Sequence, residues 1–321
     1  MRVAVLSGGR SSEHDVSLRS GAAVARGLRE AGHEVVEVTI GREGCWGAAG
    51  ASVELTPGGG LLGADAVFPA LHGPFGEDGS VQGLLEWLDI PYVGSDVLSS
   101  ATCMDKLTLK RLFAAHGVPQ VEFTAVEGDD WWGRCERMGL PLWVKPSRLG
   151  SSVGISRVEK LDELDAAVEL ALRHDPRVIV EASAAGREVE CSVLGNAEPR
   201  TSLPGEIVAH ADWYDFKAKY TEGGMELRVP APIGEEATAR VRDLAIAVFR
   251  LAGCSGLARC DFFVEPDGSV LVNEINTMPG FTDTSVYARL FEATGVEYPE
   301  LCDRLIQLAV ERHEWARSHQ F

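Results

Sequence analysis

Several things are missing from this chain, and each absence narrows what it does. No stretch approaches the roughly 20 apolar residues that a membrane helix needs, so no membrane association is expected. The start, Met1-Arg2 followed by Val3–Leu6 and Gly8-Gly9, lacks the apolar centre of a secretory signal. None of the seven cysteines forms a C-x-x-C pair. An odd number without that spacing argues for reduced thiols and a cytoplasmic location, not a disulfide framework or a zinc site. Positive charge is scarce: 30 Lys and Arg stand against 48 Asp and Glu, a net −18. That balance disfavours nucleic acid and anionic membranes as partners, and an anionic ligand would need locally gathered cations.

What is present reads as a soluble globular protein of 321 residues, with 45% hydrophobic and 24% charged residues, long enough for two or three domains. Val3–Leu6, a loop to His14, an Ala-rich helix to Ala31 closed by Gly32, and Glu34–Ile40 read as βαβ. A strand at Ala66–Pro69 and a helix at Val81–Asp89 extend this α/β unit, and Asp105–His116 is helical. Leu140–Lys145, Ile155–Val158, the helix Leu161–Arg173 and Val178–Glu181 form a second, smaller unit of antiparallel character. Strands at Glu188–Val193, Leu203–Val208 and Leu227–Pro230, the amphipathic helix Glu235–Ala252, a hairpin and a last helix from Pro299 complete a third. The expected division is 1–100, 101–184 and 185–321.

The hairpin is the richest segment. Leu257–Glu265 and Val270–Asn276 are β-branched and aromatic, joined by Pro266-Asp267-Gly268-Ser269. With Asp267-Gly268 as a two-residue loop, Glu265 faces Val270, Asp261 faces Glu274 and Arg259 faces Asn276. Phe263 and Val272 are expected on that same face. Directly opposed residues have Cβ atoms about 4.5–5.5 Å apart, where two carboxylates need a cation between them or one proton to share. An oxygen-only set of Asp, Glu and Asn suits Mg²⁺; a solvated polar face is the plainer alternative.

Other segments are weaker alone. Lys145-Pro146-Ser147-Arg148-Leu149-Gly150-Ser151-Ser152-Val153-Gly154 offers small side chains and free N–H groups that suit an anion, or a flexible hairpin. It is not a Walker A loop, because its Lys precedes the glycines. Ser7–His14 follows the first strand, where open α/β sheets bind ligands, but lacks G-x-G-x-x-G, so a dinucleotide is disfavoured. Glu13 there suits a substrate ammonium or a helix N-terminus. His72 follows another strand end, and Lys217-Ala218-Lys219-Tyr220 stands where a lid is expected.

Taken in order, these segments resemble the D-alanine–D-alanine ligases, ATP-grasp enzymes of peptidoglycan precursor synthesis. The matching residues are Gly8-Gly9-x-Ser11-Ser12-Glu13, Leu71-His72-Gly73 with Gly76-Glu77-Asp78-Gly79, Asp105-Lys106, Lys145-Pro146-Ser147, Gly150–Gly154, Lys219-Tyr220, Arg259-x-Asp261 and Glu274-Ile275-Asn276-Thr277-Met278-Pro279-Gly280-Phe281-Thr282. The resemblance implies an ATP-grasp fold, α/β overall and α+β in its ATP-binding part, behind an N-terminal Rossmann-like pre-ATP-grasp domain. It implies ligation of two D-alanines through an acyl phosphate, with ATP as co-substrate, two Mg²⁺ ions, Mn²⁺ as a substitute, and a homodimer. Whether a monovalent cation assists stays open.

It also implies roles. Lys106 and Lys145 would hold ATP phosphates under the loop of Ser151, Ser152 and Val153, while Glu181 and Glu188, with Ala184 and Asn273 beside them, would bind adenine and ribose. Asp261, Glu274 and Asn276 would hold metal. Glu13 and His72 would take the first D-alanine, Arg259 and the Gly280 N–H its carboxyl. Lys219, Ser285 and the Val286 N–H would take the second carboxylate. Glu13, Ser151 and Tyr220 would clamp the lid. A D-Ala–D-Lac or D-Ala–D-Ser ligase, and more distantly a non-catalytic nucleotide sensor, are the alternatives.

Overall fold

Arg2–Gly8 becomes the strand β1 because Val3-Ala4-Val5-Leu6 is apolar toward both faces, as a strand covered on two sides requires. The computed structural model describes residues 1–150, 153–209 and 225–319. β1 pairs in parallel with β2 (Glu34–Ile40) and with β5 (Ala66–Pro69), in register Val3↔Val35 and Val3↔Ala66. A hairpin of β3 (Trp46–Ala48) and β4 (Ala51–Ser52) adds an antiparallel edge, giving the order β4-β3-β2-β1-β5. The helix α1 (His14–Glu30) returns the chain from β1 to β2, as the βαβ reading requires.

A second sheet has the order β6-β9-β7-β8 and is wholly antiparallel: Phe123–Ala125, Val178–Ala182, Leu142–Pro146 and Ser156–Val158. On one face Leu142, Val144, Val158 and Val180 pack under α6 (Leu164–Leu172). The expected helix Leu161–Arg173 divides into a 3₁₀ turn, Leu161–Glu163, and α6. The third sheet runs β13-β12-β10-β14-β15, with β11 on β10. These are Met225–Arg228, Gly205–Ala209, Arg187–Gly195, Gly256–Val264, Val270–Asn276 and Arg200–Thr201. Helix α7 (Glu235–Leu251) covers one face through Val241, Ala245, Val248 and Phe249.

Three helices join the units. α3 (Val97–Met104) and α4 (Lys106–Ala115) meet at Asp105, which both ends the first and caps the second, accepting Thr108 N at 3.0 Å. The last helix, α9 (Tyr298–Arg317), packs on the first sheet: Leu301, Leu305 and Ile306 share a core with Val3, Leu28 and Phe68. The C-terminal end therefore closes over the N-terminal sheet, which sequence order alone does not indicate. No described helix is long and apolar enough to cross a membrane.

The hairpin confirms two pairings and corrects a third, together with the face of Val272. Arg259 faces Asn276 and Asp261 faces Glu274 as derived. The turn, however, is longer: Val264 faces Val270, and the Glu265 N–H donates to Ser269 O at 2.9 Å. The register returns through a bulge at Asn273, one extra residue on β15 between Val272 and Glu274. Val272 consequently turns into the core with Phe262, away from the face it was expected to share with Phe263.

Candidate functional site

The site gathers where loops from all three sheets meet. Its first wall follows β1. Gly8 has φ +91°, and a Cβ there would lie 2.3 Å from Ile40 O, so only glycine fits the turn. Glu13 then arrives at the N-terminal end of α1, buried, with its N–H donating to Ser11 Oγ at 3.1 Å. A Cβ on Gly73 (φ +71°) would come within 2.6 Å of Glu13 Oε2, and one on Gly150 within 3.8 Å. The Glu13 carboxylate thus sits between the His72-Gly73 loop and the Lys145–Gly154 loop. His72 is buried, with Nε2 2.8 Å from Ser20 Oγ, Nδ1 3.1 Å from Met278 O and 3.6 Å from Glu77 Oε1. Burial works against its proton, but Glu77 and Glu13 outweigh that and raise its pKa. Burial and Glu13 raise Glu77's, against the pull of His72.

The second wall is cationic. Asp105 fixes the start of α4 by accepting Ser147 Oγ at 2.8 Å and pairing with Arg177 at 2.7 Å. That places Lys106 Nζ 2.9 Å from Leu149 O and 3.4 Å from Glu274 Oε2. Lys145, on β7, reaches Glu181 Oε2 at 2.6 Å, and Lys110, on α4, reaches Glu181 Oε1 at 3.1 Å. Burial pushes Glu181 up, yet the two lysines override it and hold its pKa at about 2. Both Glu181 oxygens therefore face ammonium groups, one from α4 and one from β7. The base of the Gly/Ser loop is tied down by Asp175, which accepts Arg148 N at 2.7 Å and Arg148 Nη2 at 2.6 Å.

The third wall is acidic. Asp261 accepts Arg259 Nε at 2.8 Å and Nη2 at 2.7 Å, and Arg259 Nε also lies 2.9 Å from Glu190 Oε2. Glu190, which the sequence did not single out, lies opposite Asp261 in register on β10. Asn276 Oδ1 accepts Met278 N at 3.0 Å. Among the described residues no three His, Cys, Asp or Glu side chains gather as a metal site. Asp261 and Glu274 are opposed in register, with Asn276 two residues further along β15: two carboxylates and an amide whose oxygens are hard donors of the kind a magnesium-type ion takes.

The remaining expected residues fall in three places. Gly280 and Ser285 adjoin: a Cβ on Gly280 would lie 3.4 Å from Ser285 Oγ, which binds Thr282 Oγ1 at 2.7 Å. Val286 begins α8 (Val286–Glu292), its side chain buried against Leu290 and Ile207, leaving only its backbone for a ligand. Glu188 is exposed on β10, while Val153, Ala184 and Asn273 are half-buried. Ser151, Ser152, Lys219 and Tyr220 lie outside the described residues, and with them the clamp expected of Glu13, Ser151 and Tyr220.

The D-ala D-ala ligase N-terminus profile matches residues 2–95, and that of the D-ala D-ala ligase C-terminus matches 112–307. The chain belongs to the D-alanine–D-alanine ligase family. It is 46% identical to the D-alanine–D-alanine ligase of Deinococcus radiodurans, over 97% of this chain and 98% of that one. With the Geobacillus kaustophilus enzyme the identity is 43%, over 98% and 95%. Among solved structures, the D-alanine–D-alanine ligase from Coxiella burnetii superposes with a TM-score of 0.90 at 37% identity, covering 99% of this chain and 96% of that one. VanG D-Ala:D-Ser ligase from Enterococcus faecalis gives 0.86 at 35%, covering 96% and 99%. The ATP-grasp fold expected from the motifs is the fold of these solved relatives, and the family is one of ligase enzymes.

Membership makes the Glu181 charge cluster a point of interest, and its energetics are testable. Its folded-state pKa of about 2 lies below the ordinary 4.5, so its contribution is complete above about pH 4.5 and is lost as pH falls toward 2. A shift of this size corresponds to stability on the order of 3 kcal/mol. Urea unfolding at pH 5 and pH 3 should therefore show the wild type losing more stability than Glu181→Gln by about 2 kcal/mol, the part of that contribution lost across this window. Equal losses in the two proteins would contradict it.

Proposed function

We propose that this ligase joins two D-alanines into D-alanyl-D-alanine with ATP cleaved to ADP and phosphate, in the cytoplasm, for peptidoglycan precursor synthesis. One observation carries the reading: Glu13 lies beside Gly150, Lys106 donates to Leu149 O and lies 3.4 Å from Glu274, and Glu274 is paired in register with Asp261, which Arg259 holds. It brings a carboxylate suited to an ammonium group, cations suited to phosphate and hard oxygen donors into one neighbourhood. The proposed organisation is 1–100, 101–184 and 185–321, each carrying its own sheet.

The chemistry follows from charge. A D-alanine carboxylate attacking the γ-phosphoryl brings two anions together, and Lys106, Lys145 and Arg259 offset that repulsion. Glu13 takes the first D-alanine's ammonium, while Arg259 and the Gly280 N–H orient its carboxyl. The carboxylate oxygen bonds to the γ-phosphorus and the bond to ADP breaks. The neutral amine of the second D-alanine, its carboxylate held by Ser285 Oγ and the Val286 N–H, attacks the acyl carbon. Phosphate leaves, and the ammonium proton passes to solvent. Asp261, Glu274 and Asn276 would hold two Mg²⁺ ions, with Mn²⁺ as a substitute, supplying charge neutralisation at the phosphoryl oxygens. A dry, closed cleft protects the acyl phosphate from hydrolysis.

The decisive assay is phosphate release with D-alanine as the sole amino acid. Release is expected at full rate, and release only on adding D-serine or D-lactate would replace this reading with the second. The D-serine reading has the Enterococcus faecalis structure behind it. We also propose a homodimer: Trp87 and Leu98 are each 74% exposed on neighbouring helices, α2 (Ser80–Leu88) and α3. Light scattering giving the mass of one chain would contradict it.

A further inference from the structure

Lys110 belongs to none of the roles above, yet it is the most deeply buried lysine in the cluster. It stands one helical turn after Lys106 on α4, so the two share a face. Lys106 and Lys145 side chains are 14% and 15% exposed, whereas those of Lys110 and Glu181 are 2% and 3% exposed. Lys110 Nζ lies 3.1 Å from Glu181 Oε1 and 6.0 Å from the Phe123 ring centre, and makes no aligned hydrogen bond among the described residues. Glu181 Oε2 is held at 2.6 Å by Lys145. The array Lys110–Glu181–Lys145 therefore carries two cations around one buried carboxylate.

The surplus cation has a physical use. Were Lys145 the sole partner of Glu181, turning Lys145 onto a phosphate would strand a carboxylate in a low-dielectric interior. Losing one member of a buried ion pair costs several kcal/mol, enough to oppose nucleotide binding. A second ammonium fixed behind Glu181 removes that penalty, because the carboxylate stays paired whichever way Lys145 points.

We propose that Lys110 is a positioning residue that keeps Glu181 neutralised so that Lys145 is free to engage the nucleotide phosphates. Lys110 itself touches neither nucleotide nor amino acid. This rests on the ATP-binding reading above and deepens it. It also explains why an acidic chain keeps a lysine among the buried positions of α4, with Leu107, Leu109 and Phe113. Burial and the repulsion of Lys145 lower Lys110's hold on its proton, and Glu181 partly restores it, as a cation retained for its partner would show.

The test is a double-mutant cycle read as ADP affinity by calorimetry on the full chain with Mg²⁺, folding being followed by circular dichroism. Lys110→Met should weaken ADP binding at least about ten-fold, since one buried counter-charge is worth that much or more. In the Glu181→Gln background, where no carboxylate needs a partner, the same substitution should change affinity less than about three-fold. Equal losses in the two backgrounds would mean that Lys110 acts through packing, and no loss in either would mean that it does nothing for phosphate binding; both overturn the proposal. If Lys110→Met alone fails to fold, the comparison of Glu181→Gln with Lys110→Met/Glu181→Gln decides: a further loss of ten-fold overturns it, near equality supports it. Wild-type protein that binds no ADP would instead bring down the ATP reading itself.

Discussion

Replacing Glu274 by alanine should lower turnover on the order of 10³-fold or more while leaving the fold intact. The side chain is one third exposed, so its loss opens no core cavity. Its carboxylate faces Asp261 across the hairpin and lies 3.4 Å from Lys106. Removing it takes away a hard donor from the proposed Mg²⁺ set and the carboxylate paired with Lys106. ADP release should fall at every D-alanine concentration, with unchanged circular dichroism. Activity within ten-fold of wild type would remove Glu274 from the metal assignment.

Arg259→Met should act on stability as strongly as on activity. The guanidinium serves two carboxylates that face each other in register, Asp261 in a two-pronged contact and Glu190 at 2.9 Å. Its burial would disfavour the charge, but Asp261 and Glu190 more than compensate and raise its pKa further. Without it two neighbouring acids are left in a largely dry site, which by analogy with broken buried ion pairs costs about 3–5 kcal/mol. Urea unfolding at neutral pH measures this directly. Arg259→Lys should recover part of the loss, because it keeps the charge and gives up the fork geometry. A Met variant within about 1 kcal/mol of wild type would contradict the compensating role.

How much of this was legible depended on the range of the interaction. Local signals worked: the apolar runs at Val3–Leu6 and Ala66–Pro69 became strands, and Glu34–Ile40 and Val270–Asn276 took the bounds expected. Short elements escaped, among them α3, whose Ala-Thr-Cys stretch carries weak periodicity but is capped by Asp96 accepting Ser99 N at 2.8 Å. The hairpin pairing at Asp261 and Glu274 came out right even though its turn did not, since the longer loop and the Asn273 bulge cancel. Such a cancellation leaves no mark in a sequence.

The site divided similarly. Glu13, Lys106, Lys145 and Arg259 lay in recognisable motifs. Glu190 did not, because its importance arises from β10 lying beside β14, a long-range pairing. Lys110 offered one local hint, a lysine four residues after Lys106 among buried leucines, but its partner Glu181 is 71 residues away in the chain, as the two residue numbers in their ion pair give. The docking of α9 on the first sheet was hidden for the same reason.

The most direct test of the central claim supplies the protein with ATP, D-alanine and Mg²⁺ and measures ADP, phosphate and dipeptide together. The account predicts equal amounts of all three, and none of them once the divalent ion is chelated. Phosphate formed without dipeptide, or dipeptide formed at an undiminished rate without the ion, would contradict it.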